Sequence, residues 1–255
     1  MKLPRLAAVL TSPALVALAL LVTDDRAVAQ SSPEAELRFS TGVMHLREGR
    51  VDLALEEFKR AVKADPKNPY FQKGLGQAYA AKRDWRQAIA SFRTALELNP
   101  YYVDVKHDLG YALIMSGDRA AGRQEFLTAF SDAMNPAPEI SAFNLGRAYL
   151  EEGNKREAIN WFRTSISRNK AYPAPYLMLS EALVATDRLD EAIGELETGV
   201  REAANEPELL LALGRAYFKA GRFADARPRL EAAVKADPGG PVGRAAADQL
   251  NALPR

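Results

Sequence analysis

The sequence predicts an all-α fold, a solenoid of six stacked helix-turn-helix units. Three observations support this prediction. A small residue recurs along the 255-residue chain at steps of 34, 34, 36, 34 and 34 residues. A large apolar residue follows each small one by 16 positions, and a short polar break lies between the two. A period of this length indicates a repeat whose units bury their apolar faces by stacking on one another.

Two amphipathic helices per unit explain the columns of the repeat. The small residue lies in the first helix: Gly42, Gly76, Gly110, Gly146, Ser180 and Gly214. The large one lies in the second helix: Phe58, Phe92, Phe126, Phe162, Leu196 and Leu230. Small residues let two helix axes approach closely, and large ones fill the space beside them. We expect the third and fifth units to be the least stable. Gly122 replaces the usual Ala in the third unit, and Ser180 and Gly199 replace the usual Gly and Ala in the fifth.

The units are expected to run in order along one elongated domain. Their predicted bounds are 35–68, 69–102, 103–138, 139–172, 173–206 and 207–240. Pro66, Pro100 and Pro238 end their units because Pro cannot continue a helix. Residues 241–255 are expected to form a short helix, from about Val242 to Leu253, and a tail that together cap the exposed apolar face of the last unit.

The first 29 residues have the pattern of a bacterial-type secretory signal peptide. A basic start, MKLPR, precedes a 17-residue apolar run and an Ala-Val-Ala cleavage signature, and residues 30–34 follow as a linker. The alternative is an uncleaved anchor, although the run is interrupted by Pro13 and is at the short limit of about 17 to 25 residues for a membrane span. We therefore expect a periplasmic or secreted protein with no membrane insertion after cleavage.

Composition excludes several classes of function. Lys and Arg number 34 and Asp and Glu number 33; the first 29 residues hold three of the former and two of the latter, which leaves 31 of each. Such a neutral chain lacks the basic excess that nucleic-acid or anionic-membrane binding requires. With no Cys, it has no disulfide, no thiolate metal site and no Cys for lipid attachment.

No catalytic site or cofactor is predicted. His45 and His107, the two histidines, belong to different units, and neither has a nucleophile or a further metal ligand near it in the repeat. His107 and Asp108 are neighbours on one helix, and adjacent residues do not face each other. The sequence also has no phosphate-binding loop. It therefore indicates a protein that is not an enzyme.

The repeat resembles the tetratricopeptide repeats, over about Ala35 to Gly240. The second unit matches the family pattern best, at Leu75, Gly76, Tyr79, Ala88, Phe92, Ala95 and Pro100. This resemblance implies a right-handed superhelix whose first helices line a concave groove that binds protein or peptide partners.

Groove residues are predicted from one stripe of the first helix, positions 2, 5, 9 and 13 of each unit, because steps of three and four residues return to the same face. The columns at positions 5 and 9 vary between units, which indicates release from stacking. The candidate partner-binding residues are Tyr70, Lys73, Gln77, His107, Tyr111, Met115, Phe143, Arg147, Leu177, Glu181, Leu211 and Arg215. The column that contains Ile114 and Val184 is apolar in every unit and is left out for that reason.

Some members of the family hold the terminal carboxylate of a chaperone tail with Lys and Asn side chains. Lys73 matches that arrangement, but Gln77 replaces one Asn and Asp108 stands where the next unit should supply another. A carboxylate would be repelled by Asp108. This ligand is therefore not expected.

A narrower resemblance concerns the 36-residue step between Gly110 and Gly146. A longer third unit that leads into Asn144-Leu145-Gly146 is similar to the exported tetratricopeptide pilotins of type IV pilus biogenesis, which assist secretin assembly. The chain differs from them in having no Cys for lipidation and an Asp108 where they have Asn. The sequence thus predicts an interaction scaffold of the cell envelope, with a pilotin-like factor or a self-associating structural solenoid as alternatives. It does not predict the oligomeric state.

Overall fold

The computed structural model describes residues 31–203 and 206–254, which form 13 α-helices and no strands. The predicted signal peptide lies outside these residues. The helices are α1 Pro33–Arg47, α2 Val51–Ala64, α3 Pro69–Ala81, α4 Trp85–Leu98, α5 Val103–Ser116, α6 Arg119–Ser131, α7 Pro138–Glu151, α8 Lys155–Arg168, α9 Ala174–Val184, α10 Leu189–Glu202, α11 Pro207–Lys219, α12 Phe223–Ala236 and α13 Pro241–Asn251.

Consecutive helices pair, and the pairs stack in chain order. Helix α1 packs on α2, α3 on α4, and so on to α11 on α12, while the second helix of each pair also packs on the first helix of the next. The first helices additionally contact one another in series, from α1 through α3, α5, α7 and α9 to α11. They therefore form one continuous side of the molecule, and the predicted all-α solenoid is confirmed.

The recurring Gly and Phe meet where the two helices of a unit cross. A Cβ atom added to Gly76 would lie 2.5 Å from the ring of Phe92, and one added to Gly146 would lie 2.5 Å from the ring of Phe162. Both rings are buried. The 16-residue spacing is thus a packing relation, in which the missing side chain of one helix makes room for the ring of the other.

The two Gly residues that replace Ala in the third and fifth units also have packing reasons. A Cβ on Gly122 would lie 2.6 Å from the backbone oxygen of Gly110, so α5 and α6 approach more closely than Ala would allow. A Cβ on Gly199 would lie 2.8 Å from the ring of Tyr176, a fully buried side chain whose hydroxyl donates to the Lys170 carbonyl at 3.1 Å. Low stability of these units stays a prediction, but Gly is the residue that their packing accommodates.

Helix α1 begins at Pro33, inside the predicted linker. The Ser32 hydroxyl accepts a hydrogen bond from the Ala35 N–H at 3.2 Å, which satisfies one free donor of the first turn. Pro33 suits the first helical position because it has no N–H to satisfy.

The last helix covers the C-terminal end of the stack. Helix α13 starts one residue before the predicted Val242 and ends two before the predicted Leu253. The Asp237 carboxylate accepts the Val242 and Gly243 N–H groups at 2.9 and 3.1 Å, which fixes the start of the helix. Ala246 and Leu253 are buried with the core residues of α11 and α12, so the predicted capping contact is present.

None of the helices in the described part of the chain is both long and apolar enough to cross a membrane.

Candidate functional site

All twelve predicted partner-binding residues lie on the first helices of units two to six, from α3 to α11. We call the side of the molecule that these five helices form the first-helix face. Six of the residues are exposed on it: Tyr70, Tyr111, Met115, Arg147, Glu181 and Arg215. The other six are partly or fully covered by neighbouring units.

Lys73 and Gln77 on α3 are bonded to the next first helix. The Lys73 ammonium lies 3.3 Å from an Asp104 carboxylate oxygen and 5.0 Å from the centre of the Tyr102 ring. The Gln77 amide donates to the Asp108 carboxylate at 3.0 Å. These side chains therefore join α3 to α5, and neither is free to hold a terminal carboxylate.

Burial and neighbouring groups together set the pKa values of Asp108 and Lys73. Burial raises the pKa of Asp108, and the hydrogen bond from Gln77 and the charge of Lys73 counter only part of that rise. For Lys73, burial acts to lower the pKa, but Tyr102 and Asp104 raise it above its ordinary value overall. Lys73 thus stays a cation, while Asp108 is a carboxylate whose charged form is disfavoured by its surroundings.

His107 joins α5 to α7 instead. Its Nε2 atom lies 2.7 Å from the Ser141 hydroxyl, and its ring centre lies 6.2 Å from that of Phe126. Burial lowers the pKa of His107, so the neutral ring is favoured. Asp108 bonds back to α3 while His107 bonds forward to α7, so the two neighbours do not form an acid–base pair.

Phe143 and Leu211 contribute mainly to packing. The Phe143 ring lies 5.9 Å from Phe162 and 5.5 Å from Tyr172, and it fills the space between α7 and α8. Leu211 is only 8% exposed and belongs to the core of the last two units. The apolar side chain of Leu211 packs inward, and its role in partner binding stays a prediction.

Space for a ligand differs along the first-helix face. The gap between α5 and α7 beside Tyr111 and Arg147 has a volume of about 20 Å³, room for little more than one water molecule. A cleft of about 230 Å³ lies between α9 and α11. The residues that line this α9–α11 cleft are Leu177, Ser180, Glu181, Val184, Leu196, Ala212, Arg215, Ala216 and Lys219.

The α9–α11 cleft combines an apolar floor with a charged rim. Leu177, Val184 and Leu196 provide apolar surface, and no ion pair within residues 31–203 and 206–254 engages Arg215 or Lys219. Its volume is below the roughly 300–1,000 Å³ of small-molecule sites. The size and lining suit one or two side chains of a protein segment, with the rim free to bond polar groups of that segment.

Val184, Ala212 and Lys219 line this cleft and were absent from the sequence-based set. The column of Val184 was excluded because it is apolar in every unit, yet an apolar column can pack in one unit and line a cleft in another. Lys219 falls on the stripe of the first helix that was already expected to face the groove. That spacing could have identified it.

Metal binding has no support from side-chain clusters in the residues that the structure describes. Among them, no group of three or more His, Asp or Glu side chains is placed to hold an ion.

Curated relatives match the chain over part of their own length. It is 24% identical over 212 residues to "Protein CTR9 homolog" of Arabidopsis thaliana, covering 80% of this chain and 19% of the relative. It spans about half the length, or less, of the curated relatives that it matches.

Two solved structures resemble the fold over nearly their whole length. Pseudomonas aeruginosa PilF is 18% identical, with a TM-score of 0.63 over 85% of this chain and 97% of that one. PilW, described as a widely conserved type IV pilus biogenesis factor, is 19% identical, with a TM-score of 0.63 over 82% of this chain and 96% of that one. At these identities the likeness concerns the fold.

Family models described as "Tetratricopeptide repeat" match residues 25–69, 107–176, 143–207 and 177–241, and another matches 69–102. These ranges cover most of the chain, and the stacked helix pairs and their Gly–Phe crossings are the structural counterpart of the match. The chain belongs to the tetratricopeptide repeat family.

Proposed function

We propose that this chain is a non-catalytic protein-interaction scaffold of the bacterial cell envelope, and that its first-helix face binds a protein segment. Proteins of this fold serve in general as interaction scaffolds. The observation that carries the proposal is the α9–α11 cleft, whose apolar floor is open between two helices and whose rim holds Arg215 and Lys219.

Binding is expected to centre on this cleft. An apolar side chain of the partner would enter between α9 and α11 and remove apolar surface from water, the main source of affinity in such contacts. Arg215 and Lys219 would bond carbonyl oxygens or acidic side chains beside it. The exposed Tyr111, Met115 and Arg147 on α5 and α7 would extend the contact along the face.

The periplasmic location is part of the proposal. It is supported by the signal-peptide pattern of residues 1–29 and agrees with the neutral charge of the remainder.

The experiment is capture from the native envelope with three charge variants. Partners of the wild-type chain would be crosslinked and identified by mass spectrometry beside Tyr111→Ala with Arg147→Glu, and beside Arg215→Glu with Lys219→Glu. Arg227→Glu with Arg229→Glu is the matched control, because both residues are exposed on α12, away from the first-helix face. Loss of the same partners in the face variants, with retention in the control, is the expected result. Equal capture by all forms would place binding elsewhere.

A role in type IV pilus assembly is the narrower candidate. It is favoured by the longer third unit with Asn144-Leu145-Gly146 and by the fold likeness to PilF and PilW. Secretin or pilus subunits among the captured proteins would support it. If only other envelope proteins were captured, the general scaffold proposal would stand and the pilus role would be excluded.

A further inference from the structure

The rim of the α9–α11 cleft carries three charged side chains. Glu181 lies on the α9 side, and Arg215 and Lys219 lie on the α11 side. All three side chains are exposed. Arg215 and Lys219 are four residues apart on one helix, so they project from the same face about one turn from each other. The two sides of the cleft therefore differ in charge.

Other charged residues near this cleft pair with one another, and those of the rim do not. Arg188 lies 2.7 Å from Glu191 at the start of α10, and Arg222 lies 2.8 Å from Asp225 at the start of α12. By contrast, none of the three rim charges joins an ion pair among the residues that the structure describes. The rim charges are therefore available to an incoming molecule.

The two cations of α11 replace an ion pair that an earlier unit contains. The same two positions of α7 hold Arg147 and Glu151, which pair with each other at 3.7 Å. In α11, Lys219 stands in place of the acid, so Arg215 has a like charge one turn away, which destabilises a helix slightly. The C-terminal end of α11 favours Lys219, which lies in the last turn, but this effect fades within one turn. Helix stability therefore does not account for Arg215.

An acidic group complements this rim when it lies over α11. Arg bonds a carboxylate through two parallel N–H groups, and Lys supplies a further positive charge. Inside the cleft, a carboxylate would face Glu181 and the apolar surface of Leu177 and Val184, and it would lose its water without compensation. The cleft itself therefore suits an apolar side chain, and the α11 side of its rim suits an acidic side chain next to it.

We propose that the α9–α11 cleft recognises a protein segment in which an apolar anchor residue has an Asp or Glu within about four residues of it. The anchor enters the cleft, and the acidic side chain bonds Arg215 and Lys219. Glu181 repels the acid from the α9 side, so the acid is held on the α11 side only. This inference rests on the proposed function, since it names the chemistry of the partner at the same site.

Selection of random peptides displayed on phage tests this chemistry with the full chain. The wild-type chain is expected to enrich peptides that have an apolar residue with an Asp or Glu close to it. Arg215→Glu with Lys219→Glu is expected to keep the apolar residue and to enrich Lys or Arg in place of the acid. Arg227→Glu with Arg229→Glu on the exposed side of α12 is the matched control and should select as the wild-type chain does. No enrichment of acidic residues by the wild-type chain, or the same enrichment by the α11 variant, overturns the proposal.

A double-mutant cycle on an enriched peptide tests the contact with Arg215 itself. Exchange of the peptide's acid for its amide, or Arg215→Gln in the protein, is expected to raise the dissociation constant about twofold to fivefold. The two changes together should raise it little more than either alone, because they remove the same contact. Losses that multiply would overturn the contact between Arg215 and the acid.

Ala212→Trp, which fills the cleft, separates this inference from the proposed function. The acidic peptides are expected to be lost with this variant, and circular dichroism checks that every variant folds. If Ala212→Trp abolishes envelope capture while the wild-type chain shows no preference for acidic peptides, the cleft binds a segment of other chemistry and this inference alone fails. If the variant changes neither peptide selection nor envelope capture, the cleft is not the site and both proposals fail.

Discussion

Side chains on the first-helix face bond neighbouring units to each other between α3 and α5, whereas the same face leaves an open cleft between α9 and α11. Gln77 and Glu181 occupy the same position of their repeats, but Gln77 bonds Asp108 of the next unit at 3.0 Å while Glu181 borders the cleft. The difference lies in the facing residue, because Ala212 stands where the earlier unit has Asp108. A repeat position therefore serves stacking or recognition according to what the next unit presents.

Filling the α9–α11 cleft should have the largest effect. Ala212→Trp is expected to raise the dissociation constant of a captured partner about tenfold to a hundredfold, because burial of one large apolar side chain contributes about 1.5–3 kcal/mol. Surface plasmon resonance measures this change. Ala224→Trp on the exposed side of α12 is the control. If both variants bind equally well, the cleft has no part in recognition.

Gly122→Ala tests the close packing of α6 on α5, the first helix that Lys73 and Gln77 join to α3. Its Cβ would meet the Gly110 backbone oxygen at 2.6 Å, so we expect a loss of about 1–3 kcal/mol in the free energy of unfolding. Gly194→Ala is the control, because nothing lies within 4 Å of its Cβ position and it should stabilise α10. Urea denaturation gives both values. If Gly122→Ala stabilised the protein, the close contact with Gly110 would not require Gly, and the missing Ala side chain would instead make the third unit less stable.

Gln77→Leu should affect stability and spare binding. It leaves the partly buried Asp108 carboxylate without its donor, which is expected to cost about 1 kcal/mol in the free energy of unfolding. Gln124→Leu on the exposed side of α6 serves for comparison. Thermal denaturation and partner binding are measured together. If a stably folded Gln77→Leu variant lost affinity for the partner, the α3–α5 part of the first-helix face would also take part in recognition.

Asp108→Asn should increase the free energy of unfolding by a small amount that depends on pH. The folded-state pKa of Asp108 is raised above its unfolded value, so its ionisation costs stability above the folded pKa, and the cost vanishes below the unfolded pKa. The variant is expected to be more stable than the wild-type chain at pH 7, by less than about 1 kcal/mol, and the gain should shrink as the pH falls toward 4. Thermal unfolding across pH, with the exposed Asp248→Asn as control, measures it. A gain that grows in acid would contradict the burial of Asp108.

The fold could be predicted from sequence because the repeating pattern of small and large residues reflects one packing contact that every unit makes. Gly76 and Phe92 recur at a fixed spacing since every unit repeats the same helix crossing, and each copy reinforces the prediction. The cap at Ala246 and Leu253 was predictable for the same reason, as its apolar residues recur at helical spacing.

The candidate site was only partly predictable, because it depends on contacts between units. Leu211 and Leu177 occupy the same repeat position, yet one is buried and the other lines the cleft. Variation between units identified Arg215 but could not separate it from Gln77, whose partner Asp108 lies 31 residues away. To predict the bond between Gln77 and Asp108, one must know how two units are placed relative to each other. The pattern of a single repeat does not contain that information.

The most direct test of the central claim is site-specific crosslinking from the cleft. Because the chain has no Cys, Ala212→Cys and Ala224→Cys can each carry one photoreactive benzophenone in the native envelope fraction. Binding of a protein segment between α9 and α11 predicts a discrete crosslinked partner from position 212 and none from position 224. No partner from position 212, or the same partners from both positions, would contradict recognition at the cleft.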